Sequence, residues 1–238
     1  KIHILHKLSH FTFHISHFNS YKFEIQTMTT DQILHVLYMC ATIAFAVTGV
    51  LALADRKVDF FSVVIIGVIT AVGGGTIRDL LLDAPVFWAS DLSYIRFAVL
   101  ASILTFIAQS FFAHPNVYKL MLYFDGLGNA MFGVSGAMKT LELGFRWPLG
   151  PFMLGVITAI GGGLIRDVLT GRKTLLMSDE VYAVPVAIGI LTTLITFQLF
   201  PELKTEAILG GILIAFGLRS AAIFWEWRLP AWFTSGPK

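Results

Sequence analysis

Charged residues are scarce in this chain. They make up 13% of its 238 residues, while 56% are hydrophobic and the mean hydropathy is +0.76. An ordinary soluble domain carries about 25% charged residues, so this composition is that of a chain crossing a membrane several times. The net charge of +2 is small and dispersed, which excludes a nucleic-acid-binding face. Cysteine is nearly absent. The single Cys40 excludes an internal disulfide and a cysteine metal site, and its apolar surroundings assign it to packing. Catalytic signatures are missing too. There is no His-Glu-x-x-His, and no glycine-rich stretch is followed by the Gly-Lys-Ser/Thr of a phosphate loop. A serine nucleophile at Ser135 needs a histidine base on a later helix, and the last histidine is His114. No enzyme and no cofactor is expected.

Long apolar runs are what the chain has. Seven segments, at about 33–53, 60–82, 94–113, 119–140, 148–170, 182–200 and 207–224, are long enough to span roughly 30 Å of hydrocarbon. The breaks between them are short and polar, and Trp88, Tyr94, Tyr118, Trp147, Tyr182, Trp225 and Trp227 stand at segment ends, as an interfacial aromatic belt requires. Residues 1–27 are different. They hold His3, His6, His10, His14 and His17 and precede a start-like Met28. They read as an upstream extension outside the native fold, dispensable for transport.

The organising stretch occurs twice. Residues 67–81 read GVITAVGGGTIRDLL and residues 155–169 read GVITAIGGGLIRDVL; only Val72/Ile160, Thr76/Leu164 and Leu80/Val168 differ. The repeat extends outward. Phe45-Ala-Val-Thr-Gly49 matches Phe132-Gly-Val-Ser-Gly136, and Ser90-Asp91 to Tyr94 matches Ser178-Asp179 to Tyr182. The chain therefore divides into a first three-helix repeat (28–118), a second (119–203), and a seventh helix with the C-terminal tail (204–238). Three spans per repeat force the second copy to enter from the opposite side, giving an inverted repeat about an axis in the membrane plane. Lys and Arg outside the extension then favour an external N-terminus and a cytoplasmic C-terminus.

Glycine lowers helix stability by roughly 1 kcal/mol relative to Ala, so two triplets on intended helices need a reason. Gly67, Ala71 and Gly75, like Gly155, Ala159 and Gly163, fit close helix packing. Three consecutive glycines, Gly73, Gly74 and Gly75 or Gly161, Gly162 and Gly163, go beyond that requirement. They predict two broken helices whose freed carbonyls line a polar pathway, where irregular backbone survives in a membrane. Thr70 and Thr158, one turn before each triplet, either coordinate an ion or bond back to the preceding turn. Arg78, Asp79, Arg166 and Asp167 are charges in spanning segments, which are costly and usually functional. Adjacent helical residues do not face each other, so each is expected to find a partner elsewhere, with the two pairs flanking opposite mouths of one pathway. Asp125 is read as the partner of an arginine or as a headgroup-level residue. Lys139 and Glu142 are placed in a solvated loop.

The doubled GGGxIRD within three-plus-three-plus-one spans resembles the trimeric intracellular cation channel family, in its prokaryotic branch. The resemblance covers about 30–228. It implies an all-α protomer of seven transmembrane helices, a homotrimer in membrane lipid, and a potassium-permeable pore in each protomer lined by the second and fifth helices. Carried over, the six triplet glycines are the kinks, and potassium passes near them with ligands unspecified. It implies the prokaryotic plasma (inner) membrane. Related bacterial sequences are also labelled glycine transporters, which makes a carrier of a small amino acid the alternative.

Overall fold

The computed structural model describes residues 29–109 and 114–228. The extension 1–27 and the tail residue Lys238 lie outside the described residues. Seven long helices follow one another: α1 Thr30–Leu51, α2 Phe60–Leu81, α3 Ser93–Ala108, α4 His114–Glu142, α5 Leu149–Leu169, α6 Ala183–Leu199 and α7 Lys204–Phe224. A single helical turn, Phe87–Ser90, precedes α3. Among the described residues there is no strand, only an isolated bridge between Glu180 and Arg228.

The first two helices start on side-chain caps. Thr29 and Gln32 form a reciprocal capping box at α1. At α2 the Asp59 carboxylate accepts from the backbone N–H of Ser62 at 3.0 Å and its hydroxyl at 2.6 Å, which holds the Asp59 carboxyl below the usual carboxylate range. Helices α2 and α5 end alike. The Ala84 N–H donates to the Asp79 carbonyl and the Arg172 N–H to the Asp167 carbonyl, both at 2.9 Å. The residues between, Asp83 and Gly171, have φ of 50° and 59°, the left-handed stop of a Schellman-type end.

By length and composition α1, α2, α5 and the stretch Pro201–Phe224 suffice to cross a membrane, while α3 and α6 are shorter apolar helices. α4 is the long, more polar one, at 29 residues. α3 ends at Ala108 and α4 already runs from His114 past Lys139, so the break expected after residue 113 falls earlier in the chain, and Lys139 and Glu142, expected in a solvated loop, are helical. Lys139 lies within the helix, and Glu142 ends it in an ion pair with Lys204 at 2.6 Å. Large apolar side chains such as Phe61, Leu80, Leu169 and Leu213 are exposed around the outside, as a surface facing hydrocarbon requires. Cys40 is exposed as well, so it is not a core packing residue of the protomer.

The inverted repeat can be read directly from contacts. A Cβ added to Gly74 would run into the Thr158 carbonyl oxygen, and one added to Gly162 would run into that of Thr70. Gly73 meets the Ile165 side chain, whereas Gly161 meets Ile77. These contacts fix the point where α2 and α5 cross, and on α1 and α4 rising numbers pair with falling ones, Tyr38 with Ser135 and Phe45 with Phe132 and Gly128, so the two repeats run antiparallel. Gly49 packs on Gly67 and Thr70 of α2, and Gly136 packs on Thr158 of α5. Phe45 of α1 and Phe132 of α4 stack with ring centroids 5.7 Å apart. Equivalent residues touching each other in this way mark the pseudo-two-fold axis. α7 has no counterpart in the repeat. It packs on α6 through Gly189 and Gly211 and on α4 through Gly126, which lies under the Arg219 side chain.

Candidate functional site

The triplets do not break their helices. α2 and α5 are helical without interruption through Gly73–Gly75 and Gly161–Gly163. The bare backbone is used instead for the crossing, where only hydrogen fits between one helix and the carbonyl oxygens of the other. The six glycines also do different things. Gly74 and Gly162 are the crossing itself, with Gly161 against Gly74. Gly75 faces the Phe87 ring, and Gly163 faces the Tyr182 hydroxyl, Asp125 and Arg166. The hydroxyls of Thr70 and Thr158 bond back, to the Ile66 carbonyl at 2.7 Å and the Leu154 carbonyl at 2.5 Å.

Four residues beyond the crossing on each helix comes a charged knot. At 1.5 Å per residue each knot lies about 6 Å along its helix from the axis level. Both knots are thus buried inside the protomer, close to the crossing. Arg78 and Arg166 are fully buried, which also excludes snorkelling to headgroups. In each knot the arginine turns back on its own neighbour: Arg78 Nε donates to Asp79 Oδ1 at 2.8 Å and Arg166 Nε to Asp167 Oδ1 at 2.9 Å. The rule that adjacent helical residues do not meet holds for short side chains. The long arginine side chain escapes it by turning back until its Nε reaches the neighbouring carboxylate. The second aspartate oxygen then secures the following segment, Asp79 Oδ2 accepting from Phe87 N and Asp167 Oδ2 from Leu175 N.

The knots differ in their third member. In the first, Arg78 Nη1 donates to the Tyr38 hydroxyl at 3.2 Å and the guanidinium stacks over the Tyr38 and Phe87 rings. Lys139 reaches across from α4 to Asp79 Oδ1 at 2.8 Å. In the second, Arg166 Nη1 donates to Asp125 Oδ1 at 2.6 Å, and Asn129 Nδ2 donates to Asp125 Oδ2 at 2.8 Å. Asp125 is thus an arginine partner and not a headgroup-level residue. The first knot holds two cations and one carboxylate; the second holds one cation and two carboxylates. Lys139, with its side chain 27% exposed, is the least confined of these groups. Lys139→Gln is expected to lower stability by only about 1 kcal/mol, a typical hydrogen-bond contribution, because Asp79 keeps Arg78. Denaturant titration in detergent micelles would measure it, and a loss as large as that of Arg78→Gln would contradict the assignment.

Tyr38, Phe87, Asn129, Lys139 and Tyr182 were not singled out from sequence as site residues. A signal for Tyr38 existed: at the repeat spacing that equates Phe45 with Phe132, Tyr38 falls on Asp125.

This fold and these paired knots define a polytopic all-α membrane protein built on an inverted repeat. A family model described as "Glycine transporter" matches residues 35–110 and 122–198. The UPF0126 inner membrane protein YadS of Escherichia coli is 36% identical over 203 residues, covering 83% of this chain and 95% of its own. A UPF0126 membrane protein of Vibrio cholerae is 34% identical over 209 residues, covering 86% and 85%. The solved trimeric intracellular cation channel orthologue from Rhodobacter sphaeroides superposes with a TM-score of 0.76 at 30% identity, covering 82% of this chain and 99% of that one. A second structure, described as a basis for conductance through TRIC cation channels, gives a TM-score of 0.74 at 30% identity over 88% of this chain. The chain belongs to this family, the UPF0126 or glycine-transporter family, in the prokaryotic branch of the TRIC channels.

Proposed function

We propose that the protein is a monovalent-cation channel that passes potassium, in the prokaryotic plasma membrane, with its N-terminus outside and its C-terminus in the cytoplasm. Three protomers assemble in lipid, each with its own pathway along α2 and α5. The observation that carries this reading is the antiparallel crossing at Gly74 and Gly162 with a buried charged knot on either side, in a fold shared with proteins described as cation channels. The crossing is the constriction. Its closed form is the packed one, and bending of α2 and α5 at Gly73–Gly75 and Gly161–Gly163 opens it. Once apart, the carbonyl oxygens of Thr70 and Thr158 replace water around a passing ion. Arg78, Asp79, Arg166, Asp167 and Asp125 set the potential on either side.

A glycine carrier is the second reading, favoured by the description of the matching family model. Proteoliposomes separate the two. A channel dissipates a potassium gradient at a rate linear in its driving force and takes up no glycine. Saturable glycine uptake without potassium flux would select the carrier.

A further inference from the structure

The segments that follow α2 and α5 are fastened by different chemistry. After α2 the turn Phe87–Ser90 folds back over the first knot, with the Phe87 ring on the bare face of Gly75 and the Arg78 guanidinium over that ring. Two side-chain hydrogen bonds hold this arrangement. Trp88 Nε1 donates to the Thr76 hydroxyl at 2.8 Å. Tyr94, whose ring stands edge-on to Phe87 with centroids 4.8 Å apart, has its hydroxyl 3.1 Å from His35 Nδ1. After α5 the equivalent segment begins with Leu175, whose N–H takes the place on Asp167 that Phe87 N–H takes on Asp79. There the repeat has a leucine at every corresponding position: Leu175 for Phe87, Leu176 for Trp88, Leu164 for Thr76 and Leu122 for His35. Thr76/Leu164 is one of the three differences inside the doubled stretch, and its bond to Trp88 gives that difference a role.

Histidine is the side chain whose ordinary titration falls between about pH 5 and about pH 8. His35 is exposed on α1, while Tyr94 is 5% exposed. With its proton on Nε2, the neutral imidazole accepts the Tyr94 hydroxyl at Nδ1. A protonated imidazole has no acceptor. Nδ1 must then donate to the Tyr94 oxygen, and the hydroxyl hydrogen loses its partner, which is costly for a buried group. The nearby charges act in the same direction. Asp91 ends the turn, and the Ser93 backbone N–H and hydroxyl hold its carboxyl below the usual carboxylate range. It therefore offers an imidazolium a counter-ion other than Tyr94. Asp31 stands one turn back on α1 and offers another. Beyond Tyr94 lie cations, Arg78 over Phe87 and Lys139 on Asp79. Of the remaining charges at this end, Arg96 also acts on Asp91, and Glu142 is paired with Lys204.

We propose that protonation of His35 loosens the Phe87–Ser90 turn from the first knot, so that one end of the protomer responds to acid and the other does not. The proton arrives from the side on which α1 begins. Its effect runs from His35 through Tyr94 to Phe87 and the bare face of Gly75. The consequence for ion flow, an outer end of the pathway controlled by protons, rests on the channel reading; the movement of the turn does not.

The test is hydrogen exchange, read by mass spectrometry, on the purified full chain in detergent at about pH 8 and about pH 5. Each value is compared with His35→Gln at the same pH. Glutamine still accepts from the Tyr94 hydroxyl and does not titrate, so the comparison removes the intrinsic effect of pH and that of every other histidine. The amides of residues 86–91 are expected to exchange roughly fivefold faster than in the variant at the acid value, and equally at the alkaline one. Thr76→Val unfastens Trp88 alone, so it should raise exchange at both values and keep the acid response. An acid response that is absent from the native chain, equal in His35→Gln, or spread over all the helices overturns the proposal. Bilayer recording with acid added to one side at a time separates it from the channel reading. An acid-loosened turn in a chain that passes no current upholds the proton response and refutes the channel; currents with a turn that acid leaves unmoved do the reverse.

Discussion

Gly162→Ala is expected to destabilise the protein by about 1–3 kcal/mol, the range for overpacking a tight core, although alanine is the better helix former. The new methyl has no place to go. It meets the Thr70 carbonyl oxygen, which is backbone and moves only if α2 moves. Gly74→Ala meets the Thr158 carbonyl in the same way and should have a matching effect. Two controls make this specific. Gly73→Ala meets only the tip of the Ile165 side chain, which can rotate, so its loss should be smaller. Gly210 has nothing within 4 Å, and Gly210→Ala should be neutral or slightly stabilising within the protomer. Unfolding of each variant in mixed micelles ranks them. If all four cost the same, the triplets are not a contact between α2 and α5.

Arg166→Ala is expected to have the largest effect of any single change, about 3–5 kcal/mol or outright loss of folded protein. It removes the donors to both Asp125 and Asp167 and leaves two buried carboxylates without a cation. Arg166→Lys should restore little, because one ammonium cannot reproduce a fork that reaches two carboxylates from separate nitrogens. Combining Arg166→Leu with Asp125→Leu should recover part of the loss, since it removes one of the two stranded carboxylates and leaves only Asp167 without its cation. The yield of folded protein and the denaturant midpoint of the survivors report it. A double variant worse than Arg166→Ala would show that burial of the charge is not the cause.

Much of the fold was legible in the sequence because a membrane restricts what a chain can do. Apolar segments must be helices, and an odd number of spans per repeat must invert. The doubled fifteen-residue stretch therefore yielded the seven helices and their symmetry. The site was legible in part. The glycines and the Arg-Asp pairs were found, but two inferences from them were corrected. Three glycines signal either a break or an approach closer than any side chain permits, and propensity alone favours the break. The packing of α5 on α2 decides for the approach, and that contact is long-range. The full burial of the two arginines was hidden for a similar reason. Arg78 stands near the end of its helix, but α2 crosses its partner near its own C-terminal end, so the end is also close to the axis. Lys139 read as a loop residue because α4 is the least apolar of the seven helices. It is helical through its contacts with both repeats and not through hydropathy.

The central claim, a cation pathway through the α2–α5 crossing, is tested most directly by single-channel recording. The purified protein is placed in planar bilayers under a potassium gradient, beside a variant carrying Gly162→Ala. The account predicts unitary steps that reverse near the potassium potential, with amplitude or open time sharply changed by that one methyl. A silent bilayer, or steps that the methyl at Gly162 leaves untouched, would contradict it.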